Sequence, residues 1–331
     1  MILHLAVAFL LLFVSGCATS STAPTVTSDT QPVSATVLST TSLAALTTTV
    51  LTGTSTTVAT TTATAAVPTT STLPPCSATG HGPPEHIDVL DNEQIWIATF
   101  DGKTLSDERL VAEGASVPDG LMIDGVLHLW WVQAADHTIH HGTLEDGRFT
   151  DLGSIVVNGK IFAGMVDPDV VLLASGSIGL SVLDGFLRHG PPGPICYLLS
   201  ADGQHFSTHR GLLDLPDRFD PSLVILDDQW WLAVGLAMEE TPTTEIYLGS
   251  ADGDFSWQAT VDGAVPDLSY FEGQFRLLTC TPNGMRHYTS TDGVTWQSLD
   301  NVQLLGCDPS TVAGTNLLVY KKSAGMEPPL N

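Results

Sequence analysis

Short apolar runs broken by tight polar turns fill the chain from about residue 90 onward, a pattern that predicts many short strands. Five of these runs open on a proline flanked by aspartate, at Pro118, Pro168, Pro221, Pro266 and Pro309. Three copies align without a gap. Val117–Leu129, Asp220–Leu232 and Val265–Leu277 each lead from an apolar strand through a turn (Asp124-Gly125, Asp227-Asp228, Glu272-Gly273) into a returning strand, which predicts a hairpin. Asp167-Pro168-Asp169 with Val170 to Leu173, and Asp308-Pro309-Ser310 with Leu317 to Tyr320, are looser copies. A second hairpin follows, marked by Ser200-Ala201-Asp202-Gly203, Ser250-Ala251-Asp252-Gly253, Ser290-Thr291-Asp292-Gly293 and the weaker Leu144-Glu145-Asp146-Gly147. Asp-Gly supplies the positive φ angles of a two-residue turn.

The prolines recur every 43 to 53 residues, a period that fits a four-stranded propeller blade. The fifth copy stops after its first hairpin. Its missing half stands at the other end: Ile95-Trp96-Ile97-Ala98-Thr99-Phe100-Asp101-Gly102 has the second hairpin's pattern. The expected fold is all-β, a five-bladed β-propeller closed by an N-terminal hairpin that completes the C-terminal blade. Closure of this kind removes exposed sheet edges. Phe149, Phe206, Trp257 and Trp296 follow the Asp-Gly turns and are expected to pack between blades.

The ends add a different picture. Ile2 to Val14 is apolar but for His4, the length of a signal-peptide core and too short for a bilayer span. It leads into Val14-Ser15-Gly16-Cys17, which resembles the lipobox of bacterial lipoproteins, although no Lys or Arg precedes the apolar run. Residues 1–16 are therefore expected to be a lipoprotein signal peptide and Cys17 the lipid-bearing residue that anchors the chain to a membrane at the cell surface or in the periplasm. Residues 17–75 are rich in Thr, Ser, Ala, Val and Pro, with Asp29 as the one charge before Pro75, and are expected to form a disordered tether. The propeller occupies 76–331.

Acidic residues outnumber basic ones 36 to 11, for a formal charge of −25. Such a surface repels phosphate backbones and makes nucleic acid an unsuitable partner. Leaving Cys17 to lipid, Cys76, Cys196, Cys280 and Cys307 form an even set in an exported chain and predict two disulfides. Of three connectivities, Cys280–Cys307 is favoured because the two flank one blade boundary, which leaves Cys76 for Cys196.

A five-bladed ring whose inner strands open on Asp-Pro and whose outer turns read Ser-x-Asp-Gly resembles the furanosidase-type propellers of arabinanases, xylosidases and fructosidases. The resemblance covers about residues 90 to 322. Ser290-Thr291-Asp292-Gly293-Val294-Thr295-Trp296 also resembles the sialidase Asp-box, with one residue fewer between Asp and Gly. In the furanosidase-like families a base or nucleophile, an orienting acid and a glutamic general acid converge from inner strands, because one carboxyl must protonate the leaving oxygen while another activates water or attacks the sugar. The resemblance places Asp167, Asp220 and Asp308 in such positions. No opening carries the glutamate, so Glu239, Glu240 or Glu245 would have to reach the mouth from the third blade, with Glu240 the candidate acid. Asp119 and Asp267 follow their prolines, and strict alternation would turn them to the opposite face.

His128, Trp231 and Arg276 occupy equivalent places in the gap-free alignment and, with Asp119 and Asp267, are candidate ligand contacts. Adjacent histidines such as His140 and His141 cannot share one strand face, which disfavours a transition metal there. An acidic funnel suits a calcium ion on the axis. The function expected is that of a monomeric, surface-anchored propeller that binds, and with the missing acid supplied hydrolyses, a carbohydrate in its central funnel. The alternative is a noncatalytic scaffold that meets a protein or cell-wall partner.

Overall fold

The computed structural model describes Cys76 and residues 90–185, 193–215, 217–236, 241–253, 255–299, 301–302 and 306–325. The expected signal segment, Cys17, the expected tether, Glu239 and Glu240 lie outside the described residues. Five small antiparallel sheets form the propeller. Blade 1 comprises Ala115–Ile123, Val126–Gln133, Ile139–Glu145 and Arg148–Ser154. Blade 2 comprises Met165–Leu172, Ile178–Asp184, Ile195–Ser200 and His205–Leu213, with the short Val156–Val157 added in parallel to its outer edge. Blade 3 runs Phe219–Leu226, Gln229–Leu236, Thr243–Ser250 and Ser256–Asp262, and blade 4 runs Ala264–Phe271, Gln274–Thr281, Gly284–Ser290 and Gln297–Ser298.

Blade 5 is assembled from both ends of the propeller. Its inner strands are Cys307–Thr311 and Leu317–Ser323, and its outer strands are the N-terminal Glu93–Phe100 and Leu105–Glu113. The seam pairs Glu93 with Ser323 through to Thr99 with Leu317 without a register break. Side chains reinforce it: Tyr320 donates to Glu108 Oε2 at 2.5 Å, Lys322 also reaches Glu108, and the Lys322 ammonium lies 4.4 Å from the Trp96 ring centroid.

The Asp-Gly turns act as wedges between blades. Gly203 adopts φ +75° beneath Trp130, whose indole N–H donates to the Gly203 carbonyl at 2.9 Å. Gly293, at φ +72°, meets Trp231 so closely that a Cβ there would stand 2.4 Å from the ring. Only glycine satisfies both the backbone angle and the approach. Ser200 and Ser290 brace these turns, each hydroxyl accepting the glycine N–H at 2.9 Å. Of the aromatics expected between blades, Phe206 is buried, whereas Trp257 stands 58% exposed on the outer strand of blade 3. That outer strand has no neighbour beyond it in its sheet, so alternate residues face solvent.

All five inner strands share one irregularity. Register shifts fall between Ser116 and Asp119, Val166 and Asp169, Phe219 and Ser222, Ala264 and Asp267, and Cys307 and Ser310. Each is a β-bulge at the proline and the residue before it, where proline's missing N–H breaks no ladder bond. The residue before proline is left-handed in every blade: Val117 at φ 48°, Asp167 at 55°, Asp220 at 47°, Val265 at 55° and Asp308 at 49°. For a β-branched valine this costs on the order of 1–3 kcal/mol, so packing must hold it.

The bulge also corrects the expectation for Asp119 and Asp267. Period-2 alternation would turn them away from the residues before proline. The extra residue cancels one step of alternation, and both carboxylates line the axis together with Asp167, Asp220 and Asp308.

An inner strand has no partner on its axial side, so its N–H groups there need acceptors. A closed circle of blade-to-blade hydrogen bonds supplies them. Val170 N–H donates to Asp119, Leu223 N–H to Asp169 at 2.9 Å and Leu268 N–H to Ser222 at 2.8 Å. Thr311 donates to Asp267 from N–H at 3.1 Å and from its hydroxyl at 2.8 Å, and Gly120 N–H closes the circle on Ser310 at 3.2 Å. The residue after each proline is thus the acceptor for the next blade.

Two disulfides add covalent ties. Cys280–Cys307 joins blade 4 to blade 5, and Cys76–Cys196 fastens Cys76 to blade 2.

Candidate functional site

The five bulged openings meet around the axis and enclose a cavity of about 30 Å³. That volume holds a water or a single ligand hydroxyl, not a sugar ring. Pro118, Pro168, Pro221, Pro266 and Pro309 contribute wall without N–H donors. Aspartates sit in two tiers: Asp167, Asp220 and Asp308 before their prolines, and Asp119, Asp169 and Asp267 after.

The second tier carries the inter-blade bonds described above. Burial pushes the Asp119 carboxyl up to about 6 and Asp267 up to about 7. Asp169 is raised well above the usual carboxylate range by burial and by the neighbouring Asp119 charge. The bonds from N–H and hydroxyl donors offset only part of that cost.

In the first tier, Asp167 accepts the Asp220 backbone N–H at 3.2 Å. Burial raises Asp167 to about 6, against the lowering effect of that bond. Burial, then the charges of Asp167 and Asp308, raise Asp220 well above its ordinary value. Asp308 faces the ammonium of Lys321 at 2.5 Å, and the same ammonium contacts Glu93 at 3.2 Å. Burial alone would depress Lys321, but Asp308 and Glu93 outweigh it and hold its pKa above the usual lysine value.

Lys321 and Glu93 have no place in the repeat. The cross-strand position that Lys321 fills opposite Cys307 is filled in the other blades by Val132, Leu183, Gly235 and Cys280. A lysine at a position otherwise apolar or small is the signal that the alignment, stopping short of it, passed over. Glu93 opens the N-terminal strand and reaches Lys321 only because that strand closes blade 5.

The remaining candidates lie elsewhere. His128, Trp231 and Arg276 sit near the first-hairpin turns, and none lines the cavity. His128 Nδ1 lies 2.9 Å from His141 Nε2, Trp231 packs on Phe275 at 4.9 Å between centroids, and Arg276 covers the Phe271 ring at 4.8 Å. Glu245 is held away from the axis by a two-bond pair with Arg218, at 3.0 and 3.1 Å, and by the Tyr247 hydroxyl at 2.6 Å. The described residues contain no group of three or more His, Cys, Asp or Glu arranged to hold a metal ion. Of the second tier, both Asp119 oxygens and the Oδ2 atoms of Asp169 and Asp267 accept hydrogen bonds, and Lys321 stands against Asp308.

No family model matches the chain, and no curated protein sequence matches it. Solved structures do. A family 117 glycoside hydrolase of the marine bacterium Zobellia galactanivorans aligns with a TM-score of 0.50 at 12% identity, over 73% of this chain and 94% of that one. A thermostable family-43 glycoside hydrolase aligns with a TM-score of 0.50 at 12% identity, over 62% and 83%. The chain has their propeller fold. At this identity the likeness extends to architecture alone, and the chemistry must be argued from the axial residues.

Proposed function

We propose that this chain binds a carbohydrate at the axial mouth of the propeller. The observation that carries the reading is the gathering of Asp167, Asp220 and Asp308, from three blades, around one small polar cavity. Carboxyl groups accept sugar hydroxyls at fixed geometry, and a cavity of this size takes a single hydroxyl while the ring rests above it. The glycoside hydrolase names of the structural neighbours agree with a sugar ligand.

Hydrolysis is the second reading, favoured by the raised Asp220 carboxyl. A glycosidic acid must keep its proton near neutrality, and here an aspartate meets that requirement where a glutamate was expected. In this reading Asp220 protonates the leaving oxygen and Asp308 takes the proton of the attacking water.

The test is a glycan array probed with the full chain and with Asp167→Ala. Binding that falls at least tenfold in the variant supports the axial site. Undiminished binding moves the site elsewhere on the surface, and no binding by either protein overturns the carbohydrate reading.

The lipobox-like segment and the Thr-rich stretch support an anchored propeller, held off the membrane by residues 17–75. Cys17→Ala is expected to shift the protein from the membrane fraction to the soluble fraction of expressing cells. An unchanged membrane share would rule out lipid at Cys17.

A further inference from the structure

Asp167 and Asp220 stand on neighbouring blades and line the same small cavity. The Asp220 backbone N–H donates to Asp167 Oδ2 at 3.2 Å, which brings the two residues together. An ionised carboxylate only accepts hydrogen bonds, so a bond between two carboxyl groups requires a proton on one of them. Two like charges crowded on one cavity of about 30 Å³ disfavour full ionisation of both, and such a pair titrates as a unit.

The surroundings leave no substitute for that proton. Lys321 is the cation that acts on both aspartates, and it is already shared between Asp308 and Glu93. The other charged groups around the axis are Asp119, Asp169 and Asp267, all acidic. The five prolines of the wall carry no N–H, and the N–H two residues after each is consumed in the circle between blades. A proton on the Asp167–Asp220 pair would therefore give the mouth a donor that the inter-blade bonds do not consume.

We propose that Asp167 and Asp220 hold one proton between them at neutral pH, that Asp220 offers it to a ligand hydroxyl while Asp167 accepts one, and that its loss shuts the site to uncharged ligands. The ligand half rests on the carbohydrate reading above. A sugar hydroxyl both donates and accepts, so it completes the pair only in the singly protonated state. With both carboxylates ionised, the mouth presents acceptors alone and disfavours a neutral ligand. Burial and the neighbouring carboxylates work in the same direction, raising both groups.

Two measurements on the full chain test this. Carbon-13 NMR of side-chain carboxyls, with Asp167 and Asp220 assigned, is expected to show one proton shared by the two at pH 6, leaving only at higher pH. Both carboxyls ionised at pH 6 would overturn the proposal. A neutral-glycan array read at pH 5.5 and pH 8.5 is expected to show binding at least tenfold weaker at the higher pH. In Asp220→Asn, whose amide donates at every pH, that dependence should vanish.

Binding that is equally strong at both pH values in the unchanged protein overturns the gating while leaving the carbohydrate reading intact. An array silent at both values overturns the ligand half along with that reading, and the NMR titration still decides where the proton lies.

Discussion

Lys321→Met is expected to lower the unfolding free energy by about 3–5 kcal/mol, the usual cost of removing one partner from a buried charge cluster. Lys321 lies between Asp308 and Glu93, both nearly excluded from solvent. Removing the ammonium leaves two carboxylates close together with no cation between them. Methionine matches the length of the lysine stem, and other blades carry valine, leucine or cysteine at this place, so packing is preserved and the loss is electrostatic.

The measurement is urea unfolding at pH 7.5 with both disulfides intact, comparing midpoints at constant slope. The triple variant Glu93→Gln, Asp308→Asn, Lys321→Met should recover most of the loss, because neutralising a whole buried cluster costs far less than breaking it. A single-variant loss below about 1 kcal/mol would show the cluster to be solvated instead, as exposed pairs are.

The propeller is also expected to grow more stable as the solution turns mildly acidic, with its maximum near pH 5. Asp119, Asp167 and Asp184 are raised to about 6, Asp267 to about 7, and Asp169 and Asp220 well above the ordinary carboxylate value. A carboxyl whose pKa is higher folded than unfolded binds its proton more tightly in the folded state. Its contribution is complete below the unfolded value near 4 and is lost as pH rises through 6 to 7.

His141, lowered by burial to about 4, acts oppositely, as do His128 and His287: the unfolded chain takes up their protons first as pH falls below 6.5. Six aspartates outweigh three histidines, so the folded state still gains between pH 7 and 5. Below about pH 4 the gain ends, since the unfolded chain then takes up protons at Asp136, Asp202 and Asp292, which hydrogen bonds hold ionised in the folded state.

One pKa unit corresponds to about 1.4 kcal/mol, and with coupling among the sites the net gain from pH 8 to pH 5 should be on the order of 3 kcal/mol. For a domain of this size that is about 6–12 °C in Tm, readable by calorimetry. A Tm that falls steadily from pH 8 to pH 5 would mean the axial carboxylates are ionised in the folded protein.

The architecture was legible because it repeats. Five proline openings, the recurring Asp-Gly turns and the half blade at Ile95–Gly102 each carry local turn chemistry, and local chemistry survives in sequence. The disulfides followed from the same blade boundaries. The axial site was legible only in part. Asp167, Asp220 and Asp308 stand out before their prolines, but strict alternation turns Asp119 and Asp267, though candidate ligand contacts, to the opposite face, because a bulge leaves no sign in a hydrophobic pattern beyond the proline itself. Lys321 and Glu93 were missed for a different reason. They meet across the closing seam, at opposite ends of the propeller, and no spacing rule connects residues so far apart. Glu245 illustrates the reverse error: an acidic residue near the mouth in sequence can be neutralised by a partner, Arg218, that only the fold supplies.

The two valines at the openings of blades 1 and 4 sort the remaining three aspartates. Going round the ring, the acidic openings of blades 2 and 3 are neighbours, whereas the opening of blade 5 has a valine on either side. Two acids placed side by side must divide a proton; one acid with inert neighbours can answer only to a base brought from elsewhere, and here that base is a lysine. A nearly fivefold scaffold thus acquires a front and a back: a proton-bearing side at blades 2 and 3, and an ion-paired side at blade 5. A ligand resting on the axis would meet different chemistry at each edge, and so would be held in one orientation by a frame that has almost none of its own.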